Sequence, residues 1–383
     1  MIRIALFTSI LCLALLSLAR AADPGDSLGP HHDVSVDAMV PADSNSPAGT
    51  EEAIESKKNK KKKESPWLIA PLVSSDPKIS TALGLLAGYV YDFDVNSPPS
   101  LIGAMGSYSI THSYYYGAFA KLHFGQDQHR LIVGGLNARV NNDYSDFQGT
   151  GLPLQTTDNA KVFALRYSTK VYPRWYVGPQ FISTNYAIGA DNALAGWLLE
   201  KIGLTGFQSN GLGLYVEYDS RDNQYSPNRG QVFEVHNIAY RRGFGGDVNF
   251  DSYNAGYRYF MHHGKGHVLA LQAKGRWSVG APMSGYSSVS LRGYTAGQYL
   301  APYVTSIEAE ERFALTEKWG LRGFMGVAAL YGSDRYSGSD RFFPALGGGA
   351  SYRLNEDGMI VRAEYALGKE GNQGFYLSFG QPF

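Results

Sequence analysis

The sequence predicts an all-β fold, a transmembrane antiparallel β-barrel of about 16 strands. Three observations lead there: an export signal at the start of the chain, stretches of period-two alternation with charges on one face, and connectors of alternating length.

The first element is the signal. After Arg3 an apolar run extends from Ile4 to Leu18 and gives way to Ala19-Arg20-Ala21-Ala22. A charged start, an apolar stretch and small residues at the end are the order of a cleaved signal peptide, assigned to residues 1–22. The run is about 15 residues, short of the about 20 that a spanning helix needs. Cys12, the single cysteine, lies inside it and follows Leu11, where a lipoprotein signal would place a small residue. The mature chain is therefore expected to have no thiol, no disulfide and no thiolate metal site.

Residues 23–65 differ in composition. They are rich in Pro, Ser, Asp and Gly and end in Lys57-Lys58-Asn59-Lys60-Lys61-Lys62-Lys63. Such a segment buries too little apolar surface to offset the entropy of ordering, so it is expected to be a disordered periplasmic tether. Its lysines read as a solvated, self-repelling run or as a contact for anionic head groups.

From Trp67 the period becomes two. Leu212, Leu214, Val216 and Tyr218 alternate with Gly213, Tyr215 and Glu217; Leu269, Leu271, Ala273 and Trp277 with Gln272, Lys274 and Arg276; Met359, Val361, Ala363, Tyr365 and Leu367 with Arg362 and Glu364. A soluble sandwich would seal two apolar faces, whereas here charges occupy mid-strand positions. Strands are expected near 67–74, 79–94, 100–110, 114–124, 129–140, 160–170, 174–186, 211–221, 231–241, 250–261, 266–279, 304–315, 319–331, 343–354, 359–368 and 374–383. Tight links such as Asn96-Ser97-Pro98-Pro99, Gly125-Gln126-Asp127-Gln128 and Asn355-Glu356-Asp357-Gly358 should lie on one rim, and the long ones, 141–159, 187–210 and 280–303, on the other. The barrel domain is thus 66–383, and the last strand is expected to pair with the first, because an open sheet edge is costly in lipid.

Composition agrees and excludes other classes. Aromatic residues make up 13% of the chain, glycine occurs 45 times, and the mean hydropathy is -0.23. Alternation hides the lipid-facing set in such an average. A net charge of zero gives no reason to expect nucleic acid. Ser, His and Asp form no nucleophile elbow, and no Gly-rich stretch leads into Lys-Ser or Lys-Thr, so neither catalysis nor a cofactor is expected. His262, His263 and His267 flank the turn at Gly264-Lys265-Gly266, a spacing that does not make a metal site.

Three stretches carry a family resemblance. Gly211-Leu212-Gly213-Leu214, running into Tyr218-Asp219-Ser220-Arg221-Asp222-Asn223 and Ser226-Pro227-Asn228-Arg229-Gly230, resembles the strand-and-turn signature of the bacterial surface antigen superfamily, the BamA/TamA-like outer-membrane barrels. Ser290-Leu291-Arg292-Gly293-Tyr294 is similar to its (V/I)RG(F/Y) motif. The closing stretch from Gly374 to Phe383 resembles its last strand.

The resemblance implies a protein of the cell outer membrane. It would work in protein or lipid insertion or translocation, among outer-membrane lipids and lipopolysaccharide, with the barrel assembly machinery as a partner during biogenesis. It implies that the loop bearing Arg292, Gly293 and Tyr294 folds into the lumen and that Phe379 and Phe383 serve as the assembly signal. From chain position and alternation Glu310 is the expected partner of Arg292, with Glu308 second. Asp219, Arg221, Asp222 and Gly230 read equally as a local turn network. Where the family usually has an aspartate after Phe-x, this chain has Phe324-Met325-Gly326. Residues 23–65 are too few and too polar for the periplasmic domains of assembly proteins, so a barrel-only member is expected, or else a passive channel or structural surface protein on the same fold. Glu311 falls on the face assigned to lipid, which places it near a strand end or at a bulge.

Overall fold

The computed structural model describes residues 22–23, 26–27, 66–76, 80–98, 100–144, 154–190, 196–197, 200–201, 206–222, 226–294, 299–353, 360–379 and 381–383. All of the signal peptide but Ala22, and almost all of the tether, lie outside these residues.

Alternation of apolar and polar positions produces one antiparallel sheet of 16 strands in chain order. The strands are β1 (Trp67–Asp76), β2 (Ser80–Tyr91), β3 (Ser100–Ser109), β4 (Tyr114–Phe124), β5 (His129–Tyr144), β6 (Leu154–Tyr172), β7 (Trp175–Ala190) and β8 (Gln208–Asp219). They continue as β9 (Gly230–Tyr240), β10 (Phe250–His263), β11 (His267–Val279), β12 (Tyr303–Ala314), β13 (Trp319–Tyr331), β14 (Phe342–Arg353), β15 (Ile360–Gly368) and β16 (Gln373–Phe379). Between β11 and β12 the long loop carries a short pairing of Ser287–Ser288 with Leu300–Ala301. The curl of the sheet brings β16 alongside β1, but among the described residues no ladder joins them. The expected closing pair is thus an approach of two edges.

Two aromatic belts mark the lipid-facing wall. Near the rim where β1 begins and β16 ends, here the terminal rim, ring contacts run from Tyr91 through Phe93, Phe124 and His129 to Tyr167. Trp67 with Tyr89 and Trp319 with Tyr352 add to this belt. Near the opposite, loop rim, Tyr114 stacks with Tyr116, and Trp277 donates to the Tyr331 hydroxyl at 2.6 Å. The 11 residues of β4 run from one belt to the other. At about 3.3 Å per residue and a tilt of about 40° they rise about 25 Å, the height of an apolar bilayer band.

Within β6 the alternation is complete: Phe163, Leu165 and Tyr167 are exposed, while Val162, Ala164, Arg166 and Ser168 are buried toward the lumen. Here a sequence expectation needs refining, because the inner face is not uniformly polar. Leu86, Leu101, Phe119, Leu136, Val162, Ile182 and Ile238 form one apolar cluster on the inside of β2 to β9. The buried charges of β12 to β15 gather on the other side of the lumen.

Several boundaries differ from those expected. β5, β6 and β7 are 16, 19 and 16 residues long, and β6 begins at Leu154 rather than at 160, so 141–144 and 154–159 of the stretch read as a loop are strand. Cross-strand pairing continues there beyond the lipid-facing set, through polar pairs such as Asn141 with Thr157. On the terminal rim the link 220–229 is longer than a tight turn. The last strand stops at Phe379 rather than running to Phe383, because Pro382 has no N–H for a ladder and two arginines draw the tail inward.

The short links of the terminal rim brace one another. Asp94 accepts N–H bonds from Asn96 and Ser97 of its own turn and from Gln126 of the next, at 3.1, 2.8 and 3.0 Å. The bond from Gln126, with those from Ser97 and Asn96, holds the Asp94 carboxyl below its ordinary range.

Glu311 occupies an outward position three residues before the end of β12, in an unbroken register between Leu269 and Gly323. There is no bulge. Its carboxylate lies 2.8 Å from Nε2 of His263 at the terminal rim, and both are partly exposed. Glu311→Leu should change the unfolding free energy by less than about 1 kcal/mol, the range of exposed pairs. Comparison of the temperatures at which gel mobility shifts on heating checks this.

Candidate functional site: a charged latch inside the barrel

The register of β12 to β16 sets the side chains of the site in rows. One row runs Arg312, Arg322, Gly349, Glu364, Tyr376 and the next runs Glu310, Phe324, Gly347, Ala366, Gly374, all on the inner face. Two arginines directly opposite each other would repel. Glu310 offsets this from the neighbouring row, its Oε1 lying 2.8 Å from Arg312 and 3.1 Å from Arg322. The glycines of β14 provide the room. A Cβ at Gly349 would lie 2.1 Å from the Ala363 carbonyl oxygen and 2.8 Å from Glu364 Cα.

Into this wall comes the tip of the long loop. Arg292 reaches Glu310 Oε2 through Nη1 and Glu308 Oε1 through Nη2, both at 2.7 Å, and lies 3.3 Å from Glu364 Oε1. Its guanidinium stacks 3.4 Å above the Phe324 ring centre, which adds cation–π attraction. Gly293, at a φ of +98°, donates its N–H to the Tyr376 hydroxyl at 2.8 Å and lies against the backbone of Leu367 and Gly368. The Tyr294 hydroxyl donates to the Pro344 carbonyl at 2.5 Å and accepts the Lys369 N–H at 2.9 Å. The three motif residues thus attach the loop to five consecutive strands, or to the turns that end them.

Glu364, Arg322 and Arg362 complete the network, and spacing alone does not assign them to it. Arg362 lies 2.8 Å from Glu364 Oε2, and Arg322 3.4 Å from Glu364 Oε1. Alternation puts Arg362 and Glu364 on the inner face, but only the inter-strand register brings them to Arg292. The register also accounts for the departure at Gly326. Glu308 is the cross-strand partner of Gly326, and a Cβ on that glycine would lie 3.3 Å from the Glu308 side chain. The carboxylate facing this glycine therefore comes from β12, one strand over.

The other sequence-derived residues lie elsewhere. Asp219 receives Nε and Nη2 of Arg221 at 3.0 and 2.8 Å, and Asp222 accepts the N–H groups of Asn228 and Arg229 at 3.0 and 3.2 Å. With Gly230 at a φ of +105°, this is a turn network on the terminal rim. Phe379 pairs through its backbone with Val361. Phe383 lies beyond the strand, buried against Phe260 and Ala270, and its main-chain oxygen accepts from Arg312 at 2.9 Å. Gln381 Oε1 takes Nη1 and Nη2 of Arg322, each at 3.3 Å, so the tail meets two of the three arginines that hold Glu310.

No family profile matches the chain, and no curated protein matches it in sequence. Its fold is similar to solved outer-membrane barrels. BamA from Haemophilus ducreyi lacking POTRA domains 1-3 matches with a TM-score of 0.56 and 12% identity over 82% of this chain and 70% of that one. CdiB from Acinetobacter baumannii gives 0.58 and 12% over 80% and 58%; CdiB from Escherichia coli gives 0.60 and 11% over 83% and 63%. The chain spans about three fifths of either CdiB. Fold and neighbours together define the class: an all-β protein of the outer-membrane barrel type. Among the described residues no helix is long and apolar enough to cross a membrane.

Proposed function

We propose that this protein resides in the cell outer membrane and acts in the insertion or translocation of protein or lipid, as a relative of the assembly and translocation barrels. The observation that carries the reading is the attachment of the Arg292 loop to the inner wall of β12 to β16, the strands that end at the unladdered seam with β1. A loop held there by buried charge and main-chain contacts can couple the state of the lumen to the state of the seam. Outer-membrane lipids and lipopolysaccharide would surround the barrel, and the assembly machinery would insert it, with Phe379 and Phe383 as the candidate signal.

Planar bilayers separate this reading from a passive channel. The wild-type barrel should give rare, brief openings, and Arg292→Ala should raise their frequency several-fold. A steady ion-selective conductance unaffected by Arg292→Ala would favour the passive channel. Proteoliposomes carrying the chain should also speed the insertion of a urea-unfolded test barrel. Insertion at the rate of empty liposomes would remove the proposed role.

A further inference from the structure

The outward face of β5 and β6 carries two exposed cations, Arg139 and Lys161, and among the described residues neither has an ion-pair partner. Other outward charges are matched: Asp251 lies 2.6 Å from Arg241, and Glu311 2.8 Å from His263. Arg139 is paired across the sheet with Tyr114, and Asn137 with both Tyr116 and Lys161. The two cations thus sit on adjoining rungs beside the stacked tyrosines of the loop-rim belt, as diagonal neighbours about 7 Å apart.

The end of the apolar band can be located on the same strand. On β6 the outward set below Lys161 is Phe163, Leu165 and Tyr167, with Phe163 packed on Phe181 at 6.3 Å. Above it come Asn159 and Thr157, and across from it stands Asn185. The cations therefore stand where hydrocarbon gives way to head groups, with the amides of Asn137, Asn159 and Asn185 around them. A guanidinium fork, an ammonium and amide donors within one span suit a phosphomonoester, which offers up to two negative charges and three acceptor oxygens.

We infer that Arg139 and Lys161 form a binding site on the outer wall for the phosphate of a lipopolysaccharide-class lipid. The inference rests on the reading of the chain as an outer-membrane barrel, with both termini and the short links of the terminal rim on the periplasmic side, which sets the loop rim in the outer leaflet.

The test titrates the full chain in detergent with bisphosphorylated lipid A, with dephosphorylated lipid A and with phosphatidylglycerol. The variant Arg139→Gln with Lys161→Gln should lose about tenfold or more in affinity for the bisphosphorylated lipid, as expected for losing charge-assisted bonds. Binding of the dephosphorylated lipid should be weak and unchanged, and Lys161→Arg should bind like wild type, which keeps a readout if the double variant misfolds. Equal affinity in wild type and double variant, loss in Lys161→Arg, or phosphatidylglycerol bound as tightly as lipid A would each overturn the inference. Orientation is read separately. Thr157→Cys in intact cells should react with a membrane-impermeant maleimide, and failure there refutes the proposed orientation whatever the lipid titration gives.

Discussion

Glu310→Ala should destabilise the barrel more than any other single truncation in the latch, by about 3 to 5 kcal/mol, the cost of leaving buried charge unpaired. Glu310 is fully buried and touches three guanidiniums, those of Arg292, Arg312 and Arg322. Without it four arginines share Glu308 and Glu364, with Arg312 directly opposite Arg322. Arg292→Ala should cost less, because Glu310 keeps two partners and the loss falls mainly on Glu308. Exchanging Arg292 and Glu310 should recover little, since an arginine at 310 would face Arg312 and Arg322. The measurement is the temperature at which gel mobility shifts on heating. A drop no larger than that of Glu370→Ala, a loop residue with a mostly exposed carboxylate, would show that the network contributes nothing to stability.

Gly293→Val should lift the loop from the wall while leaving the barrel folded. The residue combines a φ of +98° with close backbone, since a Cβ would lie 3.0 Å from Leu367 C and 3.2 Å from Gly368 N. Backbone strain alone costs on the order of 1 to 3 kcal/mol. The Gly293 N–H bond to Tyr376 is lost as the loop moves. Trypsin should then cut after Arg292 several times faster than in wild type, with heat-modifiable mobility retained. Gly338→Val serves as the control, because Gly338 also has positive φ but nothing within 4 Å of a Cβ. Equal cleavage in both variants and wild type would place the loop tip away from the wall.

Sequence carried the strands further than it carried the site. Alternation in Leu269, Leu271 and Ala273 against Gln272 and Lys274 suffices to place β11 and its two faces, because period two is intrinsic to the pleat. It fails for the lumen beside β6, where Val162 and Ala164 inside are as apolar as Phe163 and Leu165 outside, so periodicity cannot tell a wetted face from a packed one. It fails for Glu364 too, whose meeting with Arg292 depends on how four strands register. Phe383 misleads for a different reason. A terminal aromatic after alternating residues reads as strand, and only the arginines at 312 and 322, about 60 to 70 residues back in the chain, explain why the tail leaves the sheet.

The division of the interior into an apolar side and a charged side bears on wetting. Leu86, Leu101, Leu136 and Val162 offer water no hydrogen bonds, and narrow apolar walls shed it. Asp158 and Arg166 of β6 are buried beside that cluster too, but the densest charged lining, and so the favoured path for a water thread, runs off-axis along β12 to β15. With the loop seated, Arg292 brings that bank to four guanidiniums against three carboxylates, so its fixed charge is positive. A cation moving along it meets an electrostatic barrier and an anion does not, so leak past the seated loop should favour chloride over potassium, and a lifted loop, which leaves three guanidiniums against three carboxylates, should lose that preference.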